Sequence, residues 1–192
     1  MISVVVCSAL LSTTRPERDA GGMNGSVTIR EYTPADLEAC RGLWRALTQR
    51  HRDIYGDQSI GGADPGTEFD QHLLHPRLAK LWVAGLNGEL VGLCGLLVEH
   101  EESELEPIVV RPSHRNRGIG ARLAQQAIAE SRRLGMKFIN VRPVARNVEA
   151  IAFFHREGFR LLGRLELSLR LNASPFPDAE QRIDVHGLHF RF

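Results

Sequence analysis

Two glycines two positions apart, Gly118 and Gly120, stand in a run of arginines, Arg115, Arg117 and Arg122, just ahead of a stretch with helical periodicity. At such a junction the first backbone N–H groups of the helix have no intrahelical acceptor and point outward, so they form a natural seat for an anion. Guanidinium groups around the same amides suit the oxygens of a phosphate. The spacing is not that of a nucleotide P-loop, because no Gly-Lys-Ser/Thr follows, and the third glycine of a dinucleotide fingerprint falls on Leu123. Upstream, Glu106 lies on an expected strand, and Arg142 lies at the end of another. The Glu106 carboxylate is a candidate base or a seat for a cationic substrate, and Arg142 a candidate for an acidic substrate group or for a salt bridge to Glu104 or Glu106. His186 and His189, three apart in an expected strand, fall on opposite faces and do not suggest a shared metal.

These residues need elements to hold them. Residues 27–32 alternate apolar and polar as a strand does, and Thr33, Pro34 and Asp36 then supply an N-cap, a preset first turn and an acid at a helix start. A helix to about Gln49 follows, with Leu37, Cys40, Leu43, Trp44 and Leu47 on its buried stripe. Residues 55–69 carry four glycines and few apolar anchors, which predicts a long loop over a substrate or an ordinary insertion. Asn87-Gly88 between residues 81–84 and 90–98 is hairpin chemistry. A strand over residues 105–110 runs into the glycine-arginine loop and a helix that ends at Gly135. Residues 137–141 are expected as a strand, 147–157 as a short helix closed by Gly158, 159–171 as a long strand and 183–192 as one last strand.

The run of residues 105–123, Leu-Glu-Pro-Ile-Val-Val-Arg-Pro-Ser-His-Arg-Asn-Arg-Gly-Ile-Gly-Ala-Arg-Leu, resembles the strand and R/Q-x-x-G-x-G/A pyrophosphate loop of the GNAT superfamily of N-acetyltransferases. Asn147, Ala150, Phe153, Phe154, Gly158 and Phe159 resemble that family's later N-x-x-A-x-x-F-Y-x-x-x-G-F helix, in order and at the expected distance. The order of elements over residues 26–171 agrees as well, so the resemblance covers most of the chain and leaves the leader and the C-terminal tail uncovered. It implies an α/β (α+β) three-layer fold, a splayed mixed β-sheet of about six to seven strands flanked by about four helices. Its fourth and fifth strands would part to admit the pantetheine arm of coenzyme A.

By the same resemblance, backbone groups of Ile108, Val109 and Val110 pair with pantetheine, and the amides of Arg115, Asn116, Arg117, Gly118, Ile119, Gly120 and Ala121 hold the pyrophosphate. Asn147 would bond the cofactor arm near its thioester end, with Phe154 beside it, and Arg156 would reach the 3′-phosphate or lie solvated on the helix surface. The expected reaction is acetyl transfer from acetyl-CoA to an amine of a small molecule or peptide, by direct attack in a ternary complex. Glu106 is the candidate base, acting through water, and the backbone N–H near Val109 the candidate oxyanion donor. The tyrosine that commonly protonates the departing thiolate is replaced by Phe154. His155 and Tyr55 are the remaining candidates for that proton. The alternatives are a different acyl group, such as propionyl or succinyl, and a coenzyme A-binding module without catalysis.

Composition bounds the rest. With 192 residues and 43% hydrophobic content, one core is expected. The division is a flexible, polar, Gly-rich leader over 1–25, within which Met23 is an alternative start, and one domain over 26–192. Lys plus Arg number 24 against 23 Asp plus Glu, so no general attraction to nucleic acid or a membrane surface follows. Cys7, Cys40 and Cys94 are widely spaced and lack CxxC, which suits a reducing cytoplasm and suggests neither disulfides nor a metal site. No run approaches a membrane span. A homodimer is open, with the C-terminal strand as the edge that could pair with a partner.

Overall fold

The computed structural model describes residues 26–169, 171 and 182–191; the expected leader lies outside them. The elements run β1 (Thr28–Glu31), α1 (Leu37–Tyr55), α2 (Glu68–Leu73), β2 (Leu78–Leu86), β3 (Glu89–Glu99), β4 (Glu102–Val110), α3 (Ile119–Arg133), β5 (Phe138–Asn140), α4 (Val148–Arg156), β6 (Arg182–Val185) and β7 (Leu188–Arg191). Strands β1 to β5 form one sheet in sequence order, antiparallel except for the parallel pair β4 and β5, and β6 and β7 form a separate hairpin.

Strand parity builds the three layers. Leu81, Val83, Leu93 and Val109 face α1 and α2. Trp82, Ala84, Cys94, Leu105, Ile108 and Val110 face α3 and α4. The helices answer with apolar stripes: Cys40, Leu43, Trp44, Leu47 and Phe69 on the first side, and Ile119, Leu123, Ala127, Ala150, Phe153 and Phe154 on the second. Cys40 and Cys94 are both free thiols in this core. Burial pushes the Cys40 thiol up to about 12 and the Cys94 thiol up as well.

The start of α1 is as expected: a 3-10 turn over Pro34–Asp36 leads into it, and Asp36 accepts from the Thr33 N–H at 2.8 Å and from the Arg30 guanidinium at 2.7 Å. Its end is not. The helix runs on to Tyr55, where Gly56 at φ +66 closes it. The expected loop over 55–69 is also shorter and anchored. Arg52 donates to the carbonyls of Ile60 and Gly62, Arg45 pairs with Asp64, and α2 begins at Glu68. Asn87 (φ +52) and Gly88 (φ +81) make the β2–β3 turn, the left-handed pair that hairpins favour.

Two strand expectations are corrected. Residues 159–169 form no strand, and Leu161, Leu162, Leu165, Leu167 and Leu169 are exposed. Alternating leucines satisfy the strand pattern, but a strand needs a hydrogen-bonding edge, and β5 is only three residues long. The last segment is a hairpin instead of one strand, because His186 and Gly187 take φ of +54 and +76 and turn the chain. His186 therefore lies in a turn, and His189 faces Asp184 at 3.0 Å. Among the described residues no helix is long and apolar enough to cross a membrane, and no group of His, Cys, Asp or Glu could hold a metal.

Candidate active site

The site begins where the sheet comes apart. Strand β5 pairs with β4 only at Glu102, Ser103 and Glu104, opposite Phe138, Ile139 and Asn140. From Leu105 to Val110 the β5 side of β4 has no strand partner among the described residues, while its other edge stays bonded to β3. The Arg111 N–H donates to the Val91 carbonyl on β3, and the Val109 carbonyl lies against Gly92 on β3. By alternation the groups facing the gap are therefore those of Ile108 and Val110. Val109, expected as the backbone oxyanion donor, turns its carbonyl to β3.

That parity is reset by an irregularity. The β3–β4 register shifts between Cys94 and Leu96, so that Gly95 faces the Glu106-Pro107 segment, whose peptide bond is cis. A Cβ on Gly95 would come within 3.0 Å of the Glu106 carbonyl oxygen, nearer than real Cβ contacts. Only glycine lets the two backbones close here. Glu106 itself is 7% exposed. Glu104, two residues earlier and 3% exposed, is held by Arg142 and, at 3.5 Å, by Arg77. Of the two readings of Arg142, the structure shows the salt bridge.

At the far end of β4 the chain enters α3 through Asn116 (φ +61) and Gly118 (φ +75), the latter serving as N-cap. The first intrahelical bond runs from the Arg122 N–H to the Gly118 carbonyl at 3.0 Å, so Ile119, Gly120 and Ala121 contribute amides that donate to no carbonyl of the helix. Arg117 and Arg122 are exposed around them, and Arg115 reaches back to the Val110 carbonyl at 3.2 Å. The two glycines differ in purpose. Gly118 supplies the left-handed turn, whereas a Cβ on Gly120 would meet the Phe153 ring at 3.4 Å, so Gly120 serves the α3–α4 packing.

The other wall is α4. Asn147 is 1% exposed and caps the helix, its side-chain oxygen accepting from the Ala150 N–H at 3.1 Å. Phe154 is 2% exposed between Phe153 and Phe159, with ring centroids at 5.2 and 5.4 Å. It has no proton to give, and its hydrocarbon edge completes the core. His155 and Arg156 are exposed on the opposite side of α4. Helix α1 closes the gap from the first layer: Arg50 pairs with Glu149 on α4 at 2.9 Å, and the Tyr55 ring lies under the Arg146 guanidinium at 5.3 Å. Sequence patterns did not single out Arg50, His51 or Arg146; the i, i+4 spacing of His51 and Tyr55 on the stripe of α1 was the available signal. A surface hollow of about 510 Å³ lies between Ile29 on β1 and Ala121, Arg122, Gln125 and Gln126 on α3.

A mixed sheet parted between two parallel strands, with the free amides of a glycine-arginine helix start at its mouth, is the arrangement of the GNAT fold. The chain belongs to the Acetyltransferase (GNAT) family, whose model matches residues 44–159. It is 29% identical over 138 residues to the uncharacterized N-acetyltransferase YjgM of Escherichia coli (strain K12), covering 70% of this chain and 82% of that protein. Among solved structures it is similar to an acetyltransferase of the GNAT family from Staphylococcus aureus Mu50, with TM-score 0.60, 21% identity, and 74% and 90% of the two chains covered. It is also similar to AAC(6′)-Iy bound to the bisubstrate analogue CoA-S-monomethyl-acetylneamine, with TM-score 0.58, 19% identity, and 76% and 98% covered.

Proposed function

We propose that the chain transfers an acetyl group from acetyl-CoA to an amine of a small molecule or peptide, by direct attack within a ternary complex. The observation that carries this reading is the gap itself: beyond Glu104 the edge of β4 has no strand partner among the described residues, and it leads straight to the unspent amides at the start of α3. An extended amide-bearing arm can complete that edge as a strand would, and its pyrophosphate can rest on the helix N-terminus. In this reading Ile108 and Val110 supply the backbone groups along the arm, with Val109 between them holding the strand to β3. Residues 115–121 would hold the pyrophosphate and Asn147 the thioester end, and the exposed Arg156 would reach the 3′-phosphate or lie solvated on the helix surface. AAC(6′)-Iy, an aminoglycoside N-acetyltransferase of the same fold, was solved with an analogue that joins coenzyme A to an acetylated amine, which supports both halves of the proposal.

The thioester supplies an activated acetyl group. An amine with a pKa of about 10 must lose a proton before it can attack, and Glu106, buried beside the gap, takes it through a water. A backbone N–H of Ile108 or Val110 meets the charge that develops on the carbonyl oxygen. Since Phe154 holds no proton, the thiol leaves with help from another donor or unassisted, which a thiol pKa of about 8.5 permits. The free buried cysteines suit a reducing compartment, and we place the reaction in the cytoplasm. Phe154 also favours one second reading, a coenzyme A-binding module that does no chemistry.

Thiol release from acetyl-CoA against a panel of amines, polyamines, amino acids and peptides, with calorimetric binding of the cofactor, tests these readings. Amine-dependent release supports the transferase; tight binding with no release supports the binding module. A larger acyl-CoA turned over faster than acetyl-CoA would change the donor. Glu106→Gln should remove at least about 100-fold of turnover while leaving acetyl-CoA affinity in place, and unchanged turnover would end its role as base.

A further inference from the structure

The C-terminal end of α1 and the start of α4 meet across the gap between β4 and β5, and the arginines gathered there are not equivalent. Arg50 has Glu149, Arg52 has the carbonyls of Ile60 and Gly62, and Arg77 and Arg142 share Glu104. Arg146 has no carboxylate within ion-pair distance among the described residues. Its guanidinium lies 5.3 Å over the Tyr55 ring, which the His51 ring in turn flanks at 6.5 Å. Arg146 is half-buried and immediately precedes Asn147, the N-cap of the nine-residue helix α4. Glu166 acts on the Tyr55 phenol through its charge but closes no ion pair with Arg146.

A cation held over an aromatic face by the ring's charge distribution spends none of its N–H donors. A half-buried cation has also lost part of its hydration, so a carboxylate that meets the fork gains two charge-assisted bonds at little ordering cost. The N-terminus of α4 adds positive potential to the same spot. We propose that Arg146, held in place by Tyr55, is a carboxylate-binding subsite on the acceptor side of the gap, so that the amine accepted belongs to a carboxylate-bearing compound such as an amino acid. The contact with α1 separates it from the arginines of the loop before α3, which lie at the other end of β4. A carboxylate could also arrive at the tip of the acyl group, as in succinyl-CoA. The proposal rests on the transferase reading for its acceptor, but binding alone tests the subsite.

The CoA-loaded protein is titrated calorimetrically with glycine, β-alanine and 4-aminobutyrate and with the carboxamide of each, and the free protein with acetyl-CoA and succinyl-CoA. Wild type is expected to bind at least one acid about tenfold more tightly than its amide. That ratio should fall toward one in Arg146→Met, stay partly in Arg146→Lys, and shrink in Tyr55→Leu, which removes the ring beneath the guanidinium and keeps the charge. If succinyl-CoA binds tenfold more tightly than acetyl-CoA, and only in proteins that keep Arg146, the carboxylate sits on the acyl group. Equal affinity for every acid and amide together with equal affinity for both acyl donors overturns the subsite, as does a preference that survives Arg146→Met. Turnover is read separately: a carboxylate preference without thiol release would sink the transferase reading and leave the subsite standing.

Discussion

Gly118 and Gly120 show how much a single residue letter conceals. Both were legible as parts of an anion loop, but Gly118 is there for its φ of +75 and Gly120 for the Phe153 ring. Their substitution should therefore have different effects. Gly118→Ala must hold a left-handed residue at a cost of about 1–2 kcal/mol, which the loop can relieve by turning its amides away from the anion. The expected outcome is acetyl-CoA affinity reduced about tenfold in calorimetry with the helix content in circular dichroism unchanged. The site's acid–base residues were similarly half legible. Glu106 stood out by type, and Arg142 was seen to have two readings, of which the Glu104 ion pair is the observed one. Which of Ile108, Val109 and Val110 faces the gap was not legible, because strand parity depends on the shift opposite Gly95, and nothing in an apolar run announces a shift.

Gly95 acts at the level of the strand pair. Gly95→Ala places a methyl group against the Glu106 carbonyl, and since the obstacle is backbone, β3 and β4 must separate. We expect a loss of about 1–3 kcal/mol in denaturant unfolding and a loss of turnover larger than that of an equally destabilising change elsewhere in β3. Most elements were readable because their ends carry specific chemistry: Thr33 and Asp36 start α1, Asn87-Gly88 turns β2 into β3, and Gly158 closes α4. The end of α1 had its signal too, since Gly56 is the first left-handed cap after Gln49. Residues 159–171 were not readable, because alternation records a side chain's preference for two faces and says nothing about whether a neighbouring strand offers an edge. The His186-Gly187 turn was missed for the opposite reason: histidine enters the left-handed region less often than asparagine, so it reads as a strand residue.

For the whole molecule, the core carries its own pH sensitivity. His51 and His72 are 2% and 7% exposed, and burial holds each imidazole neutral, with pKa lowered to about 4 from 6.5. Between those values the unfolded chain binds protons that the folded chain refuses, so stability rises with pH across this window and is lost as pH falls through it. Each histidine can contribute on the order of 2–3 kcal/mol. The melting temperature should drop from pH 6.5 to pH 4, and less steeply in His51→Gln with His72→Gln. Below that window Asp36 adds a further loss, because the Arg30 guanidinium holds its carboxyl well below the usual range. The parted strands have a consequence of another kind. Ile108 and Val110 are 1% and 6% exposed, yet among the described residues no neighbouring strand accepts from their N–H groups. In hydrogen–deuterium exchange these two amides should lose their protons far sooner than Val109 beside them, and the molecule that slows them is the one the sheet was left open to receive.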